Sequence, residues 1–369
     1  MTDLRRRFVE QIRRHGAPLT PELAAAFGAV PREVFVAEGF QRRDGTWAEP
    51  GAAGFLETVY QDDVLVTKVH DGMPVSSSSQ PSLMAVMLTA LEVRAGHRVL
   101  EIGAGTGYNA ALLTALGAEV TSVDVQADVA DRARAALARA RIEGVRVLAG
   151  DGYAGAPGER FDRAIVTVGV AGVSPHWLRQ AGPGPIVAPV EHAGTHPVLA
   201  VRGAADGPVT ATVICPSGFM TAAGPLTARH ARAHPHPVPS DALTAFAEAA
   251  PARWAEPLDA YGYRDLWYAA GVWNTRATHA AIPGRDGSTL VLLDETGTGG
   301  AAILSDGSVM AGGGQASRYA AAAVEVLDRW DAARHPPMQA WRITLSRTGD
   351  PQAPIWCPAT WELDHPQAR

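Results

Sequence analysis

The sequence predicts an α/β protein: a Rossmann-like, doubly wound parallel sheet, preceded by helices and followed by an α+β extension. Three stretches predict it, each an apolar run ending on groups suited to hold a ligand. Val99 to Ile102 ends in Gly103-Ala104-Gly105-Thr106-Gly107, and a helical pattern follows from Asn109 to Leu116. Glu119 to Val123 ends on Asp124, and Val145 to Ala149 ends on Gly150-Asp151-Gly152. Strands alternating with helical patterns read as βαβ units, whose ligand groups gather beyond the carboxyl ends of the strands.

The first stretch is strand, tight turn, helix. Its glycines let backbone approach a ligand closely, and helix-start N–H groups face it. The spacing G-x-G-x-G differs from the dinucleotide pattern G-x-G-x-x-G. Preceded by Glu101, it resembles motif I of class I S-adenosylmethionine-dependent methyltransferases. Asp124, at the end of the second strand, suits a ribose diol because a carboxylate accepts from both hydroxyls; an N-cap for the helix from Val125 to Arg139 is the other reading, and one residue can serve both. Asp151 resembles the adenine-contacting position of the same enzymes. The resemblance implies a cofactor set of Glu101, Gly103, Ala104, Gly105, Thr106, Gly107, Asp124, Val125, Asp151 and Gly152, with S-adenosyl-L-methionine bound and S-adenosyl-L-homocysteine as product.

The chain has 369 residues, enough for two domains, and 47% apolar content supports a sizeable core. A net charge of -6 argues against nucleic acid or an anionic membrane as partner. The 2 cysteines, Cys215 and Cys357, lie far apart, make no disulfide framework and fit a reducing cytoplasm. No signal peptide or membrane span is expected, since the arginine-rich start is followed by no apolar segment.

From the start, Leu4 to His15 reads as an amphipathic helix with Leu4, Phe8, Val9 and Ile12 on one face. Pro21 to Phe27 reads as a second helix capped by Thr20. Gly39 to Gly54 is Gly-rich and polar, a surface insertion. Ser76-Ser77-Ser78-Ser79-Gln80 precedes a helix opened by Pro81, whose buried face is Leu83, Met84, Met87, Leu88 and Leu91. Alone, the four serines also read as a flexible linker. Val30-Pro31-Arg32-Glu33-Val34-Phe35, Tyr60 to Thr67, and Ser79-Gln80-Pro81 followed by an apolar helix and the glycine turn together resemble the protein-L-isoaspartate O-methyltransferases. That resemblance places Ser79, flanked by Ser78 and Gln80, where the methyl-accepting carboxylate binds.

Phe161 to Val168 is similar to the family's fourth strand, Val173 to Gln180 to the helix after it, and Gly184 to Val190 to its fifth strand. Val209 to Cys215 reads as a closing strand. The resemblance covers roughly residues 19 to 216. It also has departures. Ser82 stands where the family has an aromatic residue or His, and Thr89 where it has Glu, two positions expected near the acceptor. Gly169 and Val170 replace small alanines.

A domain boundary is placed at 218: residues 1–218 form the catalytic unit, with a helical part over 1–75, and 219–369 form an α+β unit suited to peptide recognition. His230, His234 and His236 among prolines read as a loop, and no metal site is expected. Leu243 to Trp254 reads as a helix, Gln315 to Ala332 as another. Thr289 to Leu293, Ala301 to Leu304 and Trp341 to Leu345 read as strands, with turns at Asp286-Gly287 and Asp306-Gly307. Most of the 9 tryptophans fall here; core packing is the ordinary role, and a few suit a peptide groove. The extension resembles that of family homologues encoded with ribosomally made, post-translationally modified peptides.

The resemblance implies transfer of a methyl group to an Asp side chain in a modified, macrocyclic peptide. Attack by the neighbouring backbone nitrogen then gives aspartimide, and hydrolysis gives isoaspartate. A carboxylate is ionised at pH 7, so no general base is required and no catalytic triad is expected. Repair of isoaspartyl residues in damaged proteins is the alternative enzyme. A peptide-binding module without catalysis is the alternative class; the intact glycines, Asp124, Asp151 and Ser79 argue against it.

Overall fold

The computed structural model describes residues 2–227, 246–282, 288–294 and 297–364. Helices α1 (Thr2–Arg14) and α2 (Pro21–Ala29) open it. Thr20 caps α2, its hydroxyl accepting from the Leu23 N–H at 3.2 Å. Phe8 and Ile12 are fully buried on the inner face of α1, where Phe8 meets Phe27 and Tyr60 edge-on. A small sheet follows, β1 (Phe40–Gln41), β2 (Trp47–Ala48), β3 (Leu65–His70) and β4 (Met73–Ser78), with α3 (Phe55–Val59) between. Its strand order is β2-β1-β3-β4. The stretch 39–54 is therefore more than a surface insertion: Phe40 and Ala48 are fully buried and anchor it.

The central unit runs α4 (Pro81–Ala90), β5 (Arg98–Ile102), α5 (Tyr108–Ala115), β6 (Glu119–Asp124), α6 (Ala127–Arg139) and β7 (Val145–Ala149). It continues with β8 (Arg163–Val166), α7 (Pro175–Ala181), β9 (Ile186–Pro189), β10 (Val198–Gly203) and β11 (Val209–Cys215). Strands β5 to β9 are parallel, in order β7-β6-β5-β8-β9. The order reverses between β5 and β8, where a doubly wound sheet opens its ligand crevice. Alternation along β5 splits the core: Val99 packs with the N-terminal helices, α5 and α6, while Leu100 and Ile102 pack with α7 and the C-terminal unit.

The C-terminal unit contains β12 (Ala247–Ala250), α8 (Ala260–Trp273), β13 (Ala277–Ala281), β14 (Ser288–Leu293), β15 (Gly300–Ile303), β16 (Val309–Gly312) and α9 (Ala316–Ala332). The strands form an antiparallel sheet in order β12-β16-β15-β14-β13. The helix expected over Leu243 to Trp254 is corrected: Ala247–Ala250 is an edge strand on β16. Alanine's helix preference is a matter of tenths of a kcal/mol per residue, and strand pairing overrides it. The last hairpin, β17 (Trp341–Thr348) and β18 (Ile355–Leu363), leaves this unit and returns to the central sheet, β17 pairing with β11. Among the described residues the central sheet thus has nine strands, and one apolar core runs through both units. His230, His234, His236 and Asp286-Gly287 lie outside the described residues. Among the described residues no helix is long and apolar enough to cross a membrane.

Candidate active site

The three strand ends predicted to hold a ligand meet at one edge. Gly103 follows β5 with φ +97°, and a Cβ there would lie 2.6 Å from the Thr167 hydroxyl oxygen, just past β8. Gly105, φ +51°, would place a Cβ 3.1 Å from the Ser77 carbonyl oxygen. Backbone conformation and close approach both demand glycine at these two positions. The second contact brings the glycine turn against β4, the strand leading into the Ser79 turn.

Asp124 is buried beside this turn. Its Oδ2 accepts from the Gly105 N–H and its Oδ1 from the Gln126 N–H, each at 3.0 Å. Burial raises its pKa, against the pull of these backbone N–H groups. Each carboxylate oxygen keeps a further lone pair for a hydroxyl. Val125, next along, is 58% exposed, a largely uncovered apolar side chain. Asp151 is exposed, its Oδ1 accepting from the Tyr153 N–H at 2.9 Å, and Gly152 follows it. A cradle too tight for side chains, a diol acceptor, an uncovered apolar surface and an exposed carboxylate are what a nucleoside with an amino-acid tail requires. The residues fit S-adenosylmethionine.

Glu101 has another job. It is fully buried behind the turn, accepting from Asn109 Nδ2 at 2.8 Å and the Ser122 hydroxyl at 2.5 Å. Burial pushes its pKa to about 7. At zero exposure it ties β5 to α5 and β6. Ala104, Thr106 and Gly107 are also buried within the turn.

The Ser79 turn is held by two groups that sequence reading did not single out. Arg32 is fully buried, with its guanidinium donating to four carbonyls: Val59 at 2.8 Å, Gln61 at 2.9 Å, Asp63 at 2.8 Å and Ser79 at 3.1 Å. Asp62 accepts from the Ser82 N–H at 2.7 Å, Gln80 Nε2 at 3.1 Å and His15 Nδ1 at 2.5 Å. Burial alone would raise the Asp62 pKa; these hydrogen bonds outweigh it and hold the group below its ordinary value. Gln80 also donates to the Ser82 hydroxyl at 3.1 Å, so its amide is turned back to brace the turn. Ser78 is 2% exposed, and its hydroxyl meets no partner among the described residues. Ser79 is half-buried, the serine of the turn with surface to offer a substrate.

The two departures in α4 separate. Ser82 belongs to the turn. Thr89 lies about 10 Å farther along the helix, its hydroxyl donating to the Pro18 carbonyl at 3.0 Å. Its expected place near the acceptor is therefore corrected: it ties α4 to the chain before α2. The β3–β4 hairpin is strapped beside the cofactor edge by Lys68, which reaches Gln126 at 2.8 Å and Asp128 at 2.7 Å. Gln126 Nε2 donates to the Val75 carbonyl at 2.9 Å. Cys215 and Cys357 are free thiols, pushed by burial to about 12 and about 11, which leaves them un-ionised.

Replacing Ser79 by Ala is expected to cut methyl transfer about tenfold or more, the weight of one hydrogen bond to a charged group. Cofactor affinity should stay within about twofold. Turnover that persists while cofactor affinity falls would move Ser79 into the cofactor pocket.

Comparison with known proteins agrees with this geometry. Residues 3–226 match the family model "Protein-L-isoaspartate(D-aspartate) O-methyltransferase (PCMT)". A protein-L-isoaspartate O-methyltransferase of Methanoculleus marisnigri is 39% identical over 168 residues, 45% of this chain and 67% of that one. One from Thermotoga maritima is 38% identical over 166 residues, and the chain spans about half of its length, 48%. Another, from Anaeromyxobacter, is 34% identical over 208 residues, 55% of this chain and 89% of that one. A solved structure named protein-L-isoaspartate O-methyltransferase aligns over 96% of this chain and 99% of its own, at 25% identity and a TM-score of 0.54. The chain therefore belongs to the protein-L-isoaspartate(D-aspartate) O-methyltransferase family and is an S-adenosylmethionine-dependent carboxyl O-methyltransferase.

Proposed function

We propose that the chain methylates the side-chain carboxylate of one aspartate in a constrained, already modified ribosomal peptide, the ester then closing to aspartimide. The bound cofactor supplies a methyl group on a sulfonium. The remaining work is orientation and removal of water from the carboxylate. Gly103, Gly105, Asp124, Val125 and Asp151 hold the cofactor in this reading, and the Ser79 hydroxyl orients the acceptor. Asp62 already occupies the Ser82 N–H, so the start of α4 offers the acceptor less positive character than a bare helix end. No proton has to be removed from an ionised carboxylate. Ring closure breaks the ester bond and releases methanol, with the following backbone nitrogen as nucleophile. A macrocycle that holds that nitrogen near the ester favours the step without a protein group.

One observation supports the finer reading: the last hairpin and the C-terminal unit pack, one on each, on the two loops that leave β8 and β9. Beyond β8, Val173 and Trp356 exchange backbone hydrogen bonds at 2.8 Å each way. Beyond β9, Trp267 Nε1 donates to the Ala193 carbonyl at 2.9 Å, and His192 Nε2 lies 2.8 Å from the Tyr268 carbonyl oxygen. Selection of one Asp among many needs contacts outside the catalytic cleft, and this unit adjoins it. The second reading, repair of isoaspartyl residues, is favoured by the solved structure that aligns over nearly the whole chain, extension included.

A competition among the modified cyclic peptide, its linear precursor and a generic isoaspartyl peptide separates them. The cyclic Asp peptide should be methylated at least about tenfold faster than either, a preference of about 1.4 kcal/mol, and should then lose methanol. Methylation of the isoaspartyl peptide alone would return the chain to repair.

A further inference from the structure

Gly169 and His196 stand on the loops that leave β8 and β9 at the carboxyl edge of the sheet. Gly169 does not have a positive φ, so its backbone does not call for glycine. Space does. A Cβ on Gly169 would lie 2.7 Å from Cδ2 and from Nε2 of His196, well inside van der Waals contact. The imidazole fills the place a side chain at 169 would take.

One short segment fixes both residues. The His196 N–H donates to the Ser217 carbonyl at 3.2 Å, and the Ser217 hydroxyl donates to the His196 carbonyl. His196 Nδ1 faces the Phe219 N–H at 3.4 Å. The Gly169 N–H donates to the Met220 carbonyl, and its carbonyl accepts from the Ala222 N–H, both at 2.8 Å. Burial, and then His279, push the imidazole to about 4, so the ring is neutral. Its Nε2 is buried and meets no partner among the described residues. The loop bearing Gly169 starts at Thr167, whose hydroxyl bonds the carbonyls of Ile102 and Gly103. The ring is thus wedged against the loop that Thr167 ties to the glycine turn.

We propose that Gly169 and His196 are a matched pair that shapes the acceptor side of the cleft and sets which peptide carboxyl is methylated, an inference that rests on the reading of the acceptor as a peptide carboxylate. Both are positioning residues: the ring sets the width of the peptide path, and the bare Cα makes room for the ring. The family resemblance has small alanines where Gly169 and Val170 stand, so a path of this shape departs from the family pattern.

The test is a double-mutant cycle on Gly169→Ala, His196→Ala and the combined variant. It reads peptide KM and kcat, peptide affinity without cofactor, and cofactor affinity. Gly169→Ala should raise peptide KM and weaken peptide affinity about tenfold, with kcat within about threefold and cofactor affinity within about twofold. His196→Ala should flatten the preference between aspartyl and isoaspartyl peptides about tenfold. In the combined variant the added methyl meets no ring, so peptide KM should fall to within about threefold of the His196→Ala value. Additive penalties in the combined variant, unchanged KM and preference in both single variants, or a matching loss of cofactor affinity would each overturn the pair. His196→Ala only removes atoms, so it decides the question if Gly169→Ala fails to fold. The cycle is run on whichever peptide the unaltered chain methylates, so rejection of the aspartyl substrate leaves the pair open to its own refutation.

Discussion

Asp124→Ala weakens S-adenosylmethionine binding roughly ten- to a hundredfold. The ribose hydroxyls lose a charged acceptor worth about 1.5–3 kcal/mol. The same carboxylate also receives the Gly105 N–H, so its removal loosens the turn that cradles the ligand. Both effects act in one direction. Titration calorimetry on the variant checks this, with circular dichroism showing that the fold is kept. Unchanged affinity in a folded variant would remove Asp124 from the cofactor site.

Arg32→Met is expected to cost the fold about 3 kcal/mol or more. Four carbonyls, from Val59, Gln61, Asp63 and Ser79, share this one guanidinium. An apolar replacement leaves them without a donor in a buried place, at about 1–3 kcal/mol for each that water does not reach. Burial draws the Arg32 pKa down to about 10, still high enough to keep its charge at neutral pH. Arg32→Lys should fail nearly as badly, since one ammonium cannot span carbonyls spread from residue 59 to residue 79. Urea denaturation measures the loss. Below the unfolding transition the variant should still bind cofactor but transfer methyl poorly, because Arg32 holds the 59–63 segment and the Ser79 turn rather than the glycine turn. A stable and fully active Arg32→Met would refute the clamp.

The parallel half was legible because its signals are local. An apolar run such as Val99 to Ile102, followed at once by Gly103, Gly105 and Gly107, specifies strand, turn and helix within a dozen residues. Asp124 and Asp151 were readable as lying at one edge of the sheet because each closes its own strand. Arg32 and Asp62 were not. Their partners lie up to 47 residues away in sequence, and nothing in Val-Pro-Arg-Glu or Gln-Asp-Asp shows what those side chains reach. The burial of Glu101 was not readable for a related reason: the motif fixes its neighbours in sequence, while its partners are Ser122 and Asn109. The extension was legible where alternation is strong, as in β14, and misread at Ala247–Ala250, where weak local preference yields to pairing with β16.

The return of β17 to the central sheet has a consequence for how the chain is made. Strand β11 pairs at once with β10 on one edge, but on its outer edge it meets β17 only through residues 130–136 positions later, from Thr212 opposite Arg342 to Val209 opposite Leu345. At about 5–20 residues per second, that separates the two on the ribosome by on the order of ten seconds. Through that interval β11 is an open edge with alternate apolar side chains, a template for pairing with other chains. The five-stranded unit, built of neighbouring hairpins from β13 to β16, emerges in between and can form from close-range contacts. Nascent chains halted after β11 should therefore depend on chaperones in a way that the finished chain does not.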